Sequence, residues 1–180
     1  MRSLLNFVRA VSQICSRGQG NSASMSKRSN QLVWLWLTLI VVILDQLTKW
    51  QAQLQLPLRE PRVINRFFNL MLDYNYGAAF SFLTNAQGWQ RWLFVGIAIA
   101  ASLIILNWLK RMPARKNLQA AGLALIMGGA LGNLIDRLWQ GYVIDFLSWH
   151  YRLWYWPTFN LADTAVCFGV AFYIVSSLRD

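Results

Sequence analysis

Asp136, Asp145 and Asp163 lie inside one stretch, residues 128–163, which holds three of the chain's seven acids and borders apolar runs. A glycine-rich, uncharged run leads into Asn133, Asp136 and Arg137. Asp145 follows, then a Trp/Tyr-rich segment, then Asn160 and Asp163 at the start of another apolar run. Polar groups set so close to membrane-compatible runs usually mark chemistry. Two carboxylates a few ångströms apart cannot both ionise easily, so they share one proton near neutral pH. The ionised member can act as general base on a water, while the protonated member donates to a carbonyl oxygen and later to a leaving amine. That is aspartic-protease chemistry, which needs neither metal nor covalent intermediate. Asp145 and Asp163 are the pair to which the sequence points.

Each acid also has a plainer explanation. Asp163 before Thr164 would make a good N-cap, with its charge at a helix N-terminus. Asp136 and Arg137 could form a surface pair where a span leaves the membrane. Asp145, between Ile144 and Phe146, is the hardest to explain away, because a carboxylate in an apolar setting needs a partner or a proton. Spacing alone does not bring Asp145 and Asp163 together. Other chemistries find less support. The two cysteines, Cys15 and Cys167, and the single histidine, His150, form no CxxC, HExxH or other zinc-ligand spacing. A Cys15–Cys167 disulfide is not expected, since Cys167 falls within an apolar run. No GxSxG occurs. Neither metal nor cofactor is expected.

The elements that would position these residues are membrane spans. The chain is 56% hydrophobic and 13% charged, about half the roughly 25% charged residues of a soluble domain. Its formal charge of +10, from 17 basic and 7 acidic residues, would raise nucleic-acid binding in a soluble protein. Here the basic residues cluster beside apolar runs, which suits the positive-inside rule and anionic lipid head groups, not nucleic acid. Residues 1–30, with Arg2, Arg9, Arg17, Lys27 and Arg28, read as a disordered cytoplasmic extension without a signal-peptide core. Met25 within them could open an ordinary short start.

Residues 31–180 read as one domain with spans near 32–50, 92–109, 118–135 and 163–178. The first reaches the length of about 20 residues that a span needs only by admitting Asp45 and Lys49. These are spaced i,i+4 and can pair on one helix face. Either Lys49 snorkels to the interface or the pair faces substrate. Residues 57–88 hold no span-length run, and their alternating stretches read as short strands on the membrane surface. Within them, Gly77 allows close backbone approach and Asn75 offers both a donor and an acceptor, although alone this motif is a turn. Lys110, Arg111, Arg115 and Lys116 mark a cytoplasmic loop, so the third span runs outward and both termini are cytoplasmic. Gly128 and Gly132 have the GxxxG spacing of close helix packing. Residues 149–156, rich in Trp and Tyr, suit an interfacial belt or surface helix. The expected fold is an α-helical integral membrane protein: four transmembrane helices, a small extracytoplasmic β-type surface element and an interfacial helix or loop.

Five blocks now carry a resemblance. They are Asp45-Gln-Leu-Thr-Lys49, Asn75-Tyr-Gly-Ala-Ala-Phe80, Gly128-Gly-Ala-Leu-Gly-Asn-Leu-Ile-Asp-Arg137, Val143-Ile-Asp-Phe146 and Phe159-Asn-Leu-Ala-Asp163. In this order around four spans, from about Trp34 to Ser177, the chain resembles the bacterial lipoprotein signal peptidases (signal peptidase II), intramembrane aspartic proteases. The resemblance implies that Asp145 and Asp163 are the catalytic dyad and that Asn75, Asn133, Arg137 and Asn160 line the substrate site. It makes Asp45, Lys49 and Asp136 a supporting polar shell, with Gly77 and Gly129 as further supporting positions. The implied reaction is removal of signal peptides from diacylglyceryl prolipoproteins, cut before the lipid-bearing cysteine. The implied setting is the bacterial inner membrane, with the site near its outer face and the enzyme a monomer among lipids. Two rivals remain: a small transporter using the acids as a proton or ion relay, and a non-catalytic adaptor whose glycines pack helices and whose acids cap them.

Overall fold

The computed structural model describes residues 31–77, 88–152 and 154–178. The extension expected at residues 1–30, positions 78–81 of the asparagine–glycine motif and the inside end expected at Arg179 lie outside the described residues. A single 3-10 turn, Gln31–Trp34, leads into α1 (Leu35–Gln55). Strands β1 (Arg62–Asn65) and β2 (Phe68–Asn75) precede α2 (Trp89–Arg111), and a short connection leads to α3 (Asn117–Trp139). Strands β3 (Val143–Tyr151) and β4 (Trp154–Tyr155) then precede α4 (Leu161–Ser177). The four strands form one antiparallel sheet in sequence order.

That order determines where the sheet sits. β1–β2 joins α1 to α2 and β3–β4 joins α3 to α4, so the β2–β3 pairing gathers the last turns of α1 and α3 and the first turns of α2 and α4 at one end of the bundle. The opposite end is closed by the α2–α3 connection. There the buried Gln31 donates from Nε2 to Pro113 O (3.1 Å) and Ala114 O (2.9 Å) and accepts from Trp34 Nε1 (3.1 Å).

Three of the helical stretches, residues 31–55, α2 and α3, are long and apolar enough to cross a membrane; α4 has 17 residues, roughly 26 Å at 1.5 Å per residue. Their outer faces expose large apolar side chains such as Leu39, Ile43, Leu93, Ile97, Ile104, Phe168 and Phe172. In water that much exposed apolar surface would drive association; against acyl chains it is satisfied. α3 is the central and most buried helix. It runs to Trp139, beyond the boundary near 135 expected from hydropathy, and carries Asn133, Asp136 and Arg137 inside its last turns.

Close packing of α3 rests on its glycines. A Cβ at Gly128 would lie 2.7 Å from Val41 Cβ, and one at Gly132 2.5 Å from Asp45 Oδ2. A Cβ at Gly129 would collide with the Ala162 carbonyl oxygen in the first turn of α4. The sheet seats on the end of α1 through an apolar cluster of Ala52, Leu56, Leu72, Ile144 and Phe146.

Residues 149–156 form the end of β3 and β4, not a surface helix. Aromatic residues favour the pleated surface of a sheet. His150 pairs with Tyr155 in this hairpin and stacks on its ring at 5.1 Å. Gly129→Val should lower stability by about 1–3 kcal/mol or more, because the colliding atom is backbone. Gly96→Ala, with nothing within 4 Å of the added methyl, should be tolerated. Thermal unfolding in detergent checks both.

Candidate active site

Asp45 and Lys49 stand one turn apart on the face of α1 that meets α3, and both are buried, 0% and 1% exposed, as is Asp136 at 1%. The three N–H groups of the Lys49 ammonium find three acceptors: an Asp45 carboxylate oxygen at 2.8 Å, an Asp136 oxygen at 2.8 Å and Asn133 Oδ1 at 2.9 Å. A buried ammonium is costly unless it is paired in this way. Each partner carboxylate then reaches a second element. Asp45 Oδ1 accepts the backbone N–H of Ala162 (2.9 Å), and Asp136 Oδ2 accepts that of Ile144 (3.1 Å). Those two amides are immediate chain neighbours of Asp163 and Asp145.

α4 begins with a reciprocal capping box. Asn160 Oδ1 accepts the Asp163 N–H at 3.0 Å, and Asp163 Oδ2 accepts the Asn160 N–H at 3.2 Å. Two helix donors without intrahelical partners are satisfied together. Asp163 is therefore the third helical residue and Asn160 the N-cap, which corrects the reading of Asp163 as the cap itself.

Asp145 lies on β3, buried on both faces from Val143 to Phe146, and opposite Asp73 of β2. Its Oδ1 accepts Asn160 Nδ2 (2.7 Å) and its Oδ2 accepts Asn75 Nδ2 (3.0 Å). Asp163 Oδ1 accepts Asn133 Nδ2 (2.8 Å). Asn160 thus joins the two aspartates, with its side-chain amide on one and its backbone N–H on the other. Burial, and then the neighbouring Asp163 carboxylate, push the Asp145 carboxyl up to about 7, against the opposing hydrogen bonds from Asn75 and Asn160 and the charge of Lys49.

Both aspartates open onto a groove of about 1060 Å³. Its polar end holds Asn75, Asn133, Arg137, Asp145 and Asp163. The apolar wall runs down α4 through Val166, Cys167, Phe168 and Ala171, and Tyr155, Trp156 and Pro157 border it on the sheet side. Arg137 leans over this space. Its Nη2 donates to Gly77 O (3.1 Å), its guanidinium stacks 4.9 Å from the Phe94 ring centroid, and its charge faces Asp163, Asp145 and Asp136. The Gly77 N–H in turn donates to Asn75 Oδ1 (3.0 Å).

Ten of the eleven residues singled out from sequence, including Gly77 through its backbone and Arg137 through its bond to the Gly77 carbonyl, are therefore in one hydrogen-bonded or ion-paired array; Gly129 adjoins it by packing on Ala162. Two local readings are corrected. Lys49 does not snorkel to an interface, because it is enclosed by its three partners. Asp136 is not the surface partner of Arg137. Consecutive residues on a helix diverge by about 100°, so Asp136 turns inward to Lys49. One contributor was missed: Gln46 Nε2 donates to Asp136 Oδ1 (2.9 Å) and Gly132 O (3.2 Å), tying α1 to α3 beside the lysine. Its only signal in the sequence was another polar side chain next to Asp45.

The family model for signal peptidase (SPase) II matches residues 37–179. A lipoprotein signal peptidase of Ralstonia nicotianae is 52% identical over 146 residues, covering 81% of this chain and 84% of its own. One from Pseudoalteromonas atlantica is 46% identical over 153 residues, covering 85% and 93%. A solved bacterial membrane enzyme structure, 29% identical, superposes with a TM-score of 0.75 over 87% of this chain and 93% of its own. With most of its length matched, and by relatives well above 40% identity, the chain belongs to the signal peptidase II family of aspartic peptidases.

Proposed function

We propose that Asp145 and Asp163 are the catalytic dyad with which this membrane peptidase removes the signal peptide from diacylglyceryl prolipoproteins. The observation that carries this reading is the shared asparagine. Asn160 holds both carboxylates at the polar end of a groove whose other wall is apolar. In the active form the pair holds one proton. The ionised carboxylate takes a proton from water as the water oxygen bonds to the scissile carbonyl carbon, and the protonated carboxyl gives its proton to the carbonyl oxygen. When the tetrahedral intermediate collapses, the C–N bond breaks and a proton passes to the leaving amine of the lipid-bearing cysteine. The signal peptide leaves with a new carboxyl terminus, and water is the only co-reactant consumed.

Asn75, Asn133, Arg137 and Asn160 line the polar end and orient the substrate backbone there. The stripe from Val166 to Ala171 offers the acyl chains an apolar wall, and the aromatic hairpin with the β1–β2 region grips the bond from outside. The substrate reaches the dyad by lateral diffusion, since its lipid holds the scissile bond near the membrane surface. We place four spans in the bacterial inner membrane, with both termini cytoplasmic and the site near the outer face. The basic loop between α2 and α3 supports that orientation. The enzyme works as a monomer.

Asp145→Asn and Asp163→Asn should each cut cleavage of a purified diacylglyceryl prolipoprotein by about 10³-fold or more, with insertion and folding intact. The assay is run in the presence of a chelator; retained cleavage in either variant refutes the dyad. With the Asp145 carboxyl near 7, kcat/KM should fall as pH rises past about 7, because the pair then loses its proton. The same shift has a stability consequence. A carboxyl whose folded value lies above its unfolded one, about 3.9, stabilises most below pH 4, and that contribution is lost as pH rises through 7. The melting temperature of the native protein should therefore decline between pH 4 and 7, with a shallower slope in Asp145→Asn.

A further inference from the structure

The dyad mechanism uses no lysine, yet a fully buried ammonium lies one residue from it. Lys49 is a donor only, and its third N–H goes to Asn133 Oδ1 (2.9 Å), which also accepts from Asn160 Nδ2 (3.1 Å). With two donors on its oxygen, the Asn133 amide has one permitted orientation, and Nδ2 must face Asp163 Oδ1 (2.8 Å). A flipped amide would set NH₂ against an ammonium and a second NH₂, and a carbonyl oxygen against a carboxylate. The other two asparagines follow the same rule. Asn75 Oδ1 is held by the Gly77 N–H and Asn160 Oδ1 by the Asp163 N–H, and each then gives its Nδ2 to Asp145. Backbone amides secure those two. Asn133 Oδ1 is held by side chains instead, the Lys49 ammonium at the shorter distance and Asn160 Nδ2 beside it.

We infer that Lys49 is a positioning residue: by fixing the Asn133 amide with its NH₂ toward the dyad, it keeps the pair at one proton and stops it from taking up a second. An N–H donor favours a charged carboxylate, whereas a carbonyl oxygen in its place favours a protonated one. The charged groups facing the pair are Lys49 and Asp45 of α1, Asp136 and Arg137 of α3, and, along the groove, Asp73 of β2 with the Arg59 that it pairs at 3.0 Å. Of these, Lys49 alone donates to an asparagine side chain that contacts the dyad. This inference rests on the dyad reading above.

The test is the pH dependence of kcat/KM, from pH 4 to 9, for the full-length enzyme cutting a diacylglyceryl prolipoprotein. Native protein, Lys49→Met, Asn133→Leu and the double variant are compared. Each single change should lower kcat and move the acid limb up by about one pH unit, and the double variant should move it no further than Asn133→Leu alone. Lys49→Arg, which keeps a charged donor, should return the limb toward its native position. An unmoved acid limb in Lys49→Met overturns the inference. So does a double variant whose displacement is the sum of the two, because the charge would then act directly and not through Asn133. Removing the ammonium leaves Asp45 and Asp136 facing each other. If Lys49→Met fails to fold in detergent, Lys49→Met/Asp136→Asn, which has the native net charge, replaces it in the comparison with the same two criteria. Asp145→Asn and Asp163→Asn run alongside. Activity in either would remove the dyad itself, whereas two dead aspartate variants with an unmoved limb would remove only the role of Lys49.

Discussion

The structure of the site depends on one buried ammonium. Lys49 has no water to fall back on, so Asp45, Asp136 and Asn133 must stay within hydrogen-bond reach of it. A buried ion pair need not add stability over an apolar equivalent, but breaking one costs roughly 3–5 kcal/mol, so the geometry it specifies is strongly enforced. Here it specifies a great deal. The second oxygen of Asp45 ties down the first turn of α4, and that of Asp136 ties down the start of β3. Four elements from distant parts of the chain meet at a single charge, and the anchored amides lie next to the two aspartates that face the groove.

Around this anchor, asparagine is used as a directed donor. Loss of hydration in a buried pocket, and then repulsion from the second carboxylate, disfavour the charged form, which is why the Asp145 carboxyl is pushed up to about 7. N–H donors oppose that tendency without adding charge. Asparagine can supply them only if its amide is prevented from flipping, and each of the three here has its oxygen occupied by a donor. The result is a site in which neutral dipoles hold carboxylate oxygens while the formal positive charges of Lys49 and Arg137 stay one step back.

Close helix approach is the other requirement. Gly128, Gly129 and Gly132 of α3 let α1 and α4 come near enough for Asp45 to reach Ala162 and for Asn133 to reach both Lys49 and Asp163. A single methyl at Gly132 would occupy the place of the Asp45 carboxylate. The GxxxG spacing thus serves polar contact as much as apolar packing. The α4 wall of the groove is apolar, so its polar end adjoins a surface of the kind that acyl chains satisfy.

Much of this was legible in the residues themselves. Long apolar runs can be satisfied only as membrane-compatible helices, i,i+4 spacing pairs Asp45 with Lys49, alternating segments make strands, and a carboxylate just before an apolar run suits a helix N-terminus. Each is a local rule, in which the partners are within a turn or two of each other. Local rules left the aromatic segment as an interfacial belt or a surface helix, where the structure has a hairpin, and offered Asp136 as a partner of Arg137, where it turns to Lys49. They could not say that Lys49 is enclosed, because burial of a side chain on a helix depends on which other helix covers it. Nor could they bring Asp145 to Asp163. Those outcomes required α3 to lie between α1 and α4 and β2 to pair with β3, contacts between residues some 70 to 117 positions apart. The sequence by itself determined which residue types could pair and which segments would enter a membrane. Only the tertiary structure decided which of the possible partners met, since a buried charge takes whichever acceptors the packing of distant helices brings to it.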